Sequence, residues 1–158
     1  MKYLKLFENF EDIHKICKEY GIENYTINGD GSIDVDGNVN LKVRGLTKLP
    51  LKFNNVSGNF KCGNNKLTTL EGCPQSVGGN FSCSDNKLES LEFSPKSVGG
   101  YFNCSDNKLT SLECSQKSIG GGFHCDGNPI YYQLGNIDYK SYIKQLYRDK
   151  ILNELLNR

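Results

Sequence analysis

His124 and Asp126 stand two residues apart, with Ser105 a short distance upstream. A serine, a histidine and a carboxylate are the parts of a nucleophilic triad, in which the imidazole takes the hydroxyl proton and the acid orients the ring. Ser32, Asp34, Asp36 and Gly37 fall at positions one, three, five and six of a calcium-binding loop, with Val39 at its apolar eighth position. Seven cysteines bring in disulfide, zinc and thiolate chemistry. Each reading meets an objection in its own spacing. The triad has no visible oxyanion site and no obvious pocket. The loop has Val43 at position twelve, where a bidentate glutamate is required, and carboxylates beside glycine are ordinary turn residues. No Cys-x-x-Cys pair exists to hold structural zinc. The chain is read as a non-enzyme with no metal and no cofactor, and Ser105, His124 and Asp126 as polar residues on a solvated strand.

What positions these residues is a repeat. Asn80-Phe-Ser-Cys-Ser-Asp-Asn-Lys-Leu-Glu-Ser-Leu and Tyr101-Phe-Asn-Cys-Ser-Asp-Asn-Lys-Leu-Thr-Ser-Leu open two units of 21 residues. A fixed period near twenty means a solenoid, one small unit stacked on itself. Coils start at Asn59, Asn80 and Tyr101, after a degenerate coil over 38–58 and before a half coil over 122–130. The alternation Phe-x-Cys predicts a short strand in each coil, with Phe60, Phe81, Phe102 and Phe123 inward beside Cys62, Cys83, Cys104 and Cys125. Identical strands pair in parallel at about 4.8 Å. A cysteine in such a column is a small apolar packing residue, inert among Phe and Leu. Cys73 and Cys114, at non-equivalent positions, are the expected accessible thiols. Asn65, Asn86, Asn107 and Asn128 follow the cysteines by three residues and are read as an inward ladder that satisfies backbone groups where the chain turns. Leu67, Leu70, Leu88, Leu91, Leu109, Leu112 and Ile130 return to the core. Val77, Val98 and Ile119 close the coils, and paired glycines allow a tight reversal into the next strand.

The ends are read as caps. Residues 1–37 carry a helix with Asn9 as its N-cap and Gly21 as its stop, then a hairpin turning at Asn28-Gly29-Asp30-Gly31. Residues 38–130 are the solenoid. Residues 131–158 hold a helical stripe from Tyr139 through Tyr142, Ile143, Leu146, Tyr147, Ile151, Leu152 and Leu155 to Leu156, expected to close the far end, with self-association through the terminal helices left open. At 158 residues this is one structural domain.

Phe-x-Cys-x-x-Asn-x-Leu-x-x-Leu resembles the leucine-rich repeat, with phenylalanine and cysteine replacing two leucines. Pro74 and Pro95 resemble the short bacterial form, while Arg44, Phe53 and Gln116 depart from it. The Ser-Val-Gly-Gly and Cys-Ser-Asp-Asn-Lys-Leu phrases resemble repeat proteins of large tailed bacteriophages. Met1 to Glu8 resembles the leader that targets proteins to phage proheads, with a cleavage pattern at Leu6-Phe7-Glu8. The resemblance implies an α/β repeat, a leucine-rich repeat solenoid with 21-residue coils and a parallel sheet face, binding proteins and supplying no catalytic residues.

The expected working surface is therefore the outward strand face: Asn40 and Lys42, Lys61 and Gly63, Ser82 and Ser84, Asn103 and Ser105, His124 and Asp126. It is small and polar, without the large aromatic anchor of strong interfaces. It suits weak binding, an extended segment, or a generic surface. A net charge of +1 with only three arginines points away from nucleic acid, and no apolar run approaches a membrane span. Reduced thiols in odd number, with no secretory signal ahead of the repeats, point to the cytoplasm, of the host cell if phage-encoded. The expected partner is a protein, and a host protein if the chain is phage-encoded. The alternative is a phage structural protein or one packaged in the virion.

Overall fold

The computed structural model describes residues 2–113, 118–134 and 139–157. Cys114 and Gln116 lie outside them, as do the side chains of Leu6, Glu8, Tyr139, Ile143 and Tyr147.

Helix α1 (Lys2–Tyr20) opens the chain. It runs through Asn9, which is thus a helix-interior residue and not an N-cap. Lys2, Leu4, Lys5, Leu6 and Glu8 are good helix formers with no breaker among them, so the helix propagates past the expected start. Its end follows the expectation at Gly21. With Gly21 at φ 63°, Ile22 N donates to Cys17 O at 2.8 Å and Gly21 N to Lys18 O at 3.3 Å, a Schellman closure. Ile13, Cys17 and Ile22 are buried, and the Arg44 guanidinium lies 5.7 Å from the Tyr20 ring centroid. The helix is thereby fixed to the first coil by an apolar face and a cation–π contact.

Strands β1 (Tyr25–Ile27) and β2 (Ile33–Val35) form the antiparallel hairpin, with Thr26 opposite Asp34. Asp30 secures its turn by accepting from Ser32 N and Ser32 Oγ, and it pairs with Lys52 at 2.6 Å. The chain then coils as a β-solenoid built from two sheets. Strands β3 (Val39–Asn40), β5 (Phe60–Lys61), β7 (Phe81–Ser82), β9 (Phe102–Asn103) and β11 (Phe123–His124) form the expected all-parallel sheet. Strands β4 (Phe53–Val56), β6 (Ser76–Val77), β8 (Ser97–Val98) and β10 (Ser118–Ile119) form a second parallel sheet that β2 begins. Phe60 sits opposite Phe81, and Val77 opposite Val98, so each coil is stacked on the last in a fixed 21-residue register. The hairpin is accordingly part of the solenoid, because its second strand pairs with β4.

Three columns hold the coils together. The phenylalanines stack with ring centroids 5.9 Å apart for Phe60–Phe81, 4.9 Å for Phe81–Phe102 and 5.3 Å for Phe102–Phe123. Burying each ring contributes about 1.5–3 kcal/mol. The interior asparagines bond across coils: Asn107 Nδ2 donates to Cys83 O, Cys104 O and Ser105 O, while its Oδ1 accepts from Leu88 N. Asn65, Asn86 and Asn128 repeat this pattern. The third column is glycine. Gly78, Gly99 and Gly120 have no positive φ, so conformational freedom is not what they supply. A Cβ on Gly99 would fall on the carbonyl oxygen of Gly78, and one on Gly120 on that of Gly99. The backbones of successive coils touch at this corner, and only hydrogen fits between them.

At the far end, α2 (Pro129–Leu134) buries Ile130, and α3 (Tyr139–Leu156) lays Tyr142 and Leu146 on the core. Ile151, Leu152, Leu155 and Leu156 remain exposed. The stripe expected to cap the solenoid along its length docks through its first half. An 18-residue helix spans about 27 Å, so its last two turns extend beyond that contact.

Candidate functional site

The outward face of the five-stranded sheet carries the side chains that alternate with the inward phenylalanines and cysteines. Asn40, Lys42, His124 and Asp126 are exposed; Lys61, Ser82, Ser84 and Asn103 are half-buried. Ser105 is buried at 9% exposure, because the stacked neighbours leave a short side chain little access to solvent. Gly63 is buried as well, and a Cβ there would meet Ser84 O at 3.0 Å. The face is therefore flatter than the alternation implies. Two of its asparagines bend back on the chain: Asn103 Oδ1 accepts from Ser105 N at 2.9 Å and Asn40 Oδ1 from Lys42 N at 3.3 Å. Ser82 Oγ and Ser84 Oγ are 3.5 Å apart.

The face is electrostatically graded. Lys42 and Lys61 occupy the first two coils, the serines and Asn103 the middle, and Asp126 the last. None of these three charges forms an ion pair among the described residues.

Tyr101 supplies the aromatic group that the strand residues lack. It is 41% exposed, and its ring meets that of His124 edge-to-face at a centroid separation of 6.0 Å. Its position follows from a second asparagine ladder at the corner before each strand. Asn38 Oδ1 accepts from Asn59 N, Asn59 Oδ1 from Asn80 N, and Asn80 Oδ1 from Tyr101 N, all at 2.8–3.0 Å. The ladder ends at Tyr101, which puts a phenol where an amide would continue. The signal was in the spacing, as Asn38, Asn59, Asn80 and Tyr101 recur every 21 residues.

The triad residues are neighbours without the geometry of one. His124 turns its ring to Tyr101, and no hydrogen bond joins Ser105, His124 and Asp126 among the described residues. The loop carboxylates are engaged in the fold: Asp34 Oδ1 accepts from Asn55 N at 2.9 Å and from Asn54 Nδ2 at 2.9 Å, and Asp36 Oδ1 from Ser57 Oγ at 2.8 Å. Among the described residues no three His, Cys, Asp or Glu side chains converge as a metal site. Burial, and then the neighbouring column thiols, push Cys83 and Cys104 well above the ordinary thiol range, which keeps them protonated and unreactive. Burial also raises Cys17, against a bond to Tyr25 that lowers it. Cys73 is buried, contrary to its expected exposure: its N–H donates to Leu70 O at 2.9 Å, closing a turn through Gly72 (φ 90°) that brings the thiol into the core. Among the described residues no helix is long and apolar enough to cross a membrane.

Comparison with protein-family models, with curated proteins and with solved structures returned no match.

Proposed function

We propose that this chain is a non-enzymatic protein-binding solenoid of the leucine-rich repeat type, working through the outward face of its five-stranded sheet. The observation that carries the reading is the combination on that face: an in-register row of small polar groups, graded from Lys42 and Lys61 to Asp126, with the Tyr101–His124 ring pair at its acidic end. A flat strand face with one aromatic anchor suits an extended protein segment of opposite charge order. The phage-like repeat phrases make a host-cell protein the preferred partner, met in the host cytoplasm.

The test is capture of partners by the tagged chain from host lysate, beside a variant carrying Tyr101→Ala, His124→Ala and Asp126→Lys. All three positions are exposed, so the variant is expected to fold, which circular dichroism and the unfolding midpoint check. A partner held by the native chain and lost by the folded variant supports the reading. Equal capture by both removes the strand face from it. No partner in either sample replaces it with the particle-borne alternative, which mass spectrometry of purified virions then examines.

A further inference from the structure

Phe93 occupies a place where a phenylalanine is out of character. Its backbone lies at φ 62°, in the left-handed region that disfavours bulky side chains, and its ring is 52% exposed. One coil earlier the same position is Gly72, at φ 90°. Glycine satisfies that conformation without strain, so the fold itself gains nothing from an aromatic ring there. A strained, exposed aromatic residue is a reason to look for a ligand.

A groove of about 640 Å³ opens beside it, within the range of ligand sites. Its walls cross three successive coils and share no residue with the strand face. Leu49, Leu51 and Cys73 line it, and Gly72 packs so closely on the preceding coil that a Cβ there would meet Leu51 O at 2.8 Å. The charges in the walls divide into two kinds. Lys52 and Asp30 neutralise each other at 2.6 Å. Lys48, on the first coil, and Glu71, on the second, form no ion pair among the described residues. Along the solenoid axis the groove therefore presents a free cation, then a free carboxylate, then the Phe93 ring, at steps of about 4.8 Å per coil.

We infer that this groove binds a short peptide segment of a partner that offers, in this order, a carboxylate to Lys48, a cation to Glu71 and an aromatic ring to Phe93. The order follows from charge complementarity, and the ring from offset or edge-to-face pairing with an exposed phenyl group.

Three capped peptides test this by chemical-shift titration of the full chain: acetyl-Glu-Lys-Trp-amide, its charge-swapped isomer acetyl-Lys-Glu-Trp-amide, and acetyl-Glu-Lys-Ala-amide. The first is expected to bind about tenfold tighter than either of the others, and to shift the amides of Gly72 and Phe93 but not those of Ser82 and Asn103. Phe93→Gly is expected to weaken binding of the first peptide about tenfold while raising the unfolding midpoint, so loss of binding cannot be ascribed to loss of fold. Exchanging the wall charges, Lys48→Glu with Glu71→Lys, is expected to reverse the preference between the two isomers. Equal affinities for the three peptides, shifts confined to the strand face, or unchanged affinity in Phe93→Gly would each overturn the assignment.

Discussion

Asn107 and Asn59 belong to two asparagine ladders that share one period and differ in burial. Asn107 is buried, and its side chain makes four hydrogen bonds that tie two successive coils through backbone groups. Asn59 stands at the half-buried corner, where its Oδ1 accepts from Asn80 N and its Nδ2 donates to Asn38 Oδ1. The interior ladder keeps asparagine from Asn65 to Asn128, and the degenerate first coil has the exposed Arg44 there. The corner ladder gives way to Tyr101, and the ring that replaces the amide reaches the strand face. Where solvent can stand in for a lost amide the repeat is free to vary, and a candidate binding group arises at that variation. Where solvent cannot enter, the amide stays.

The largest effect is expected from Asn107→Ala. It leaves the Leu88 amide and the carbonyls of Cys83, Cys104 and Ser105 without that partner in the core. Unmet buried groups cost about 1–3 kcal/mol each, partly relieved by relaxation, so urea unfolding should show a loss of about 3 kcal/mol. A loss below about 1 kcal/mol would mean that strand pairing alone joins the coils, and the contrast between the ladders would collapse.

Gly99→Ala comes next and probes the third column. In an ordinary turn without positive φ, alanine would be neutral or slightly stabilising. Here its Cβ would fall on the Gly78 carbonyl oxygen, and separating two coil backbones should cost about 2 kcal/mol in the same measurement. A neutral result would return the glycine pair to the role of a flexible reversal.

These two columns also mark how far the sequence can be read. Phe60, Cys62 and Asn65 recur with strict spacing and alternate in type, so the first sheet and the interior ladder were legible from period and polarity. The second sheet was not. Its strands in the regular coils are as short as Ser76–Val77, too brief for alternation to register, and its serines look like loop residues. The helix start moved from Asn9 to Lys2 because an asparagine at helical spacing resembles a cap when the residues before it are treated as a leader. Cys73 reads as exposed because it lacks an equivalent cysteine in the neighbouring coils, yet the turn closed by its N–H on Leu70 O brings it into the core. At the candidate site, Lys42, Lys61, His124 and Asp126 were placed by alternation alone. The low exposure of Ser105 depends on coil separation, which no single repeat encodes. In the sequence Tyr101 is only a coil start, and its contact with His124 arises once coils are stacked.

Val43 offers a test with the opposite sign. It sits at φ 57°, 74% exposed, in a column whose later members are Asn64, Asp85, Asp106 and Gly127, all at positive φ. Those three residue types tolerate the left-handed region, and a β-branched one does not. Val43→Asn should raise stability by about 1 kcal/mol without moving any contact in the core. If stability is unchanged or falls, the Val43 side chain contributes packing against the N-terminal cap that outweighs its backbone strain.

The smallest effect is the one that decides the comparison. Asn59→Ala removes the corner bonds to Asn80 N and Asn38 Oδ1, but water can reach the groups it leaves behind. A hydrogen bond exchanged for one to solvent contributes little, so the expected loss is about 0.5 kcal/mol. Set against about 3 kcal/mol at Asn107, that ratio would locate the selective pressure on asparagine in burial and not in the repeat itself. Two asparagines of equal period, one with four side-chain bonds and one with two, would then differ chiefly in whether water can replace those bonds. A loss at Asn59 as large as that at Asn107 would require the corner to be as closed to water as the core. Tyr101, which ends that ladder, would then be a structural terminator, and its claim to be the anchor of the strand face would pass to His124 alone.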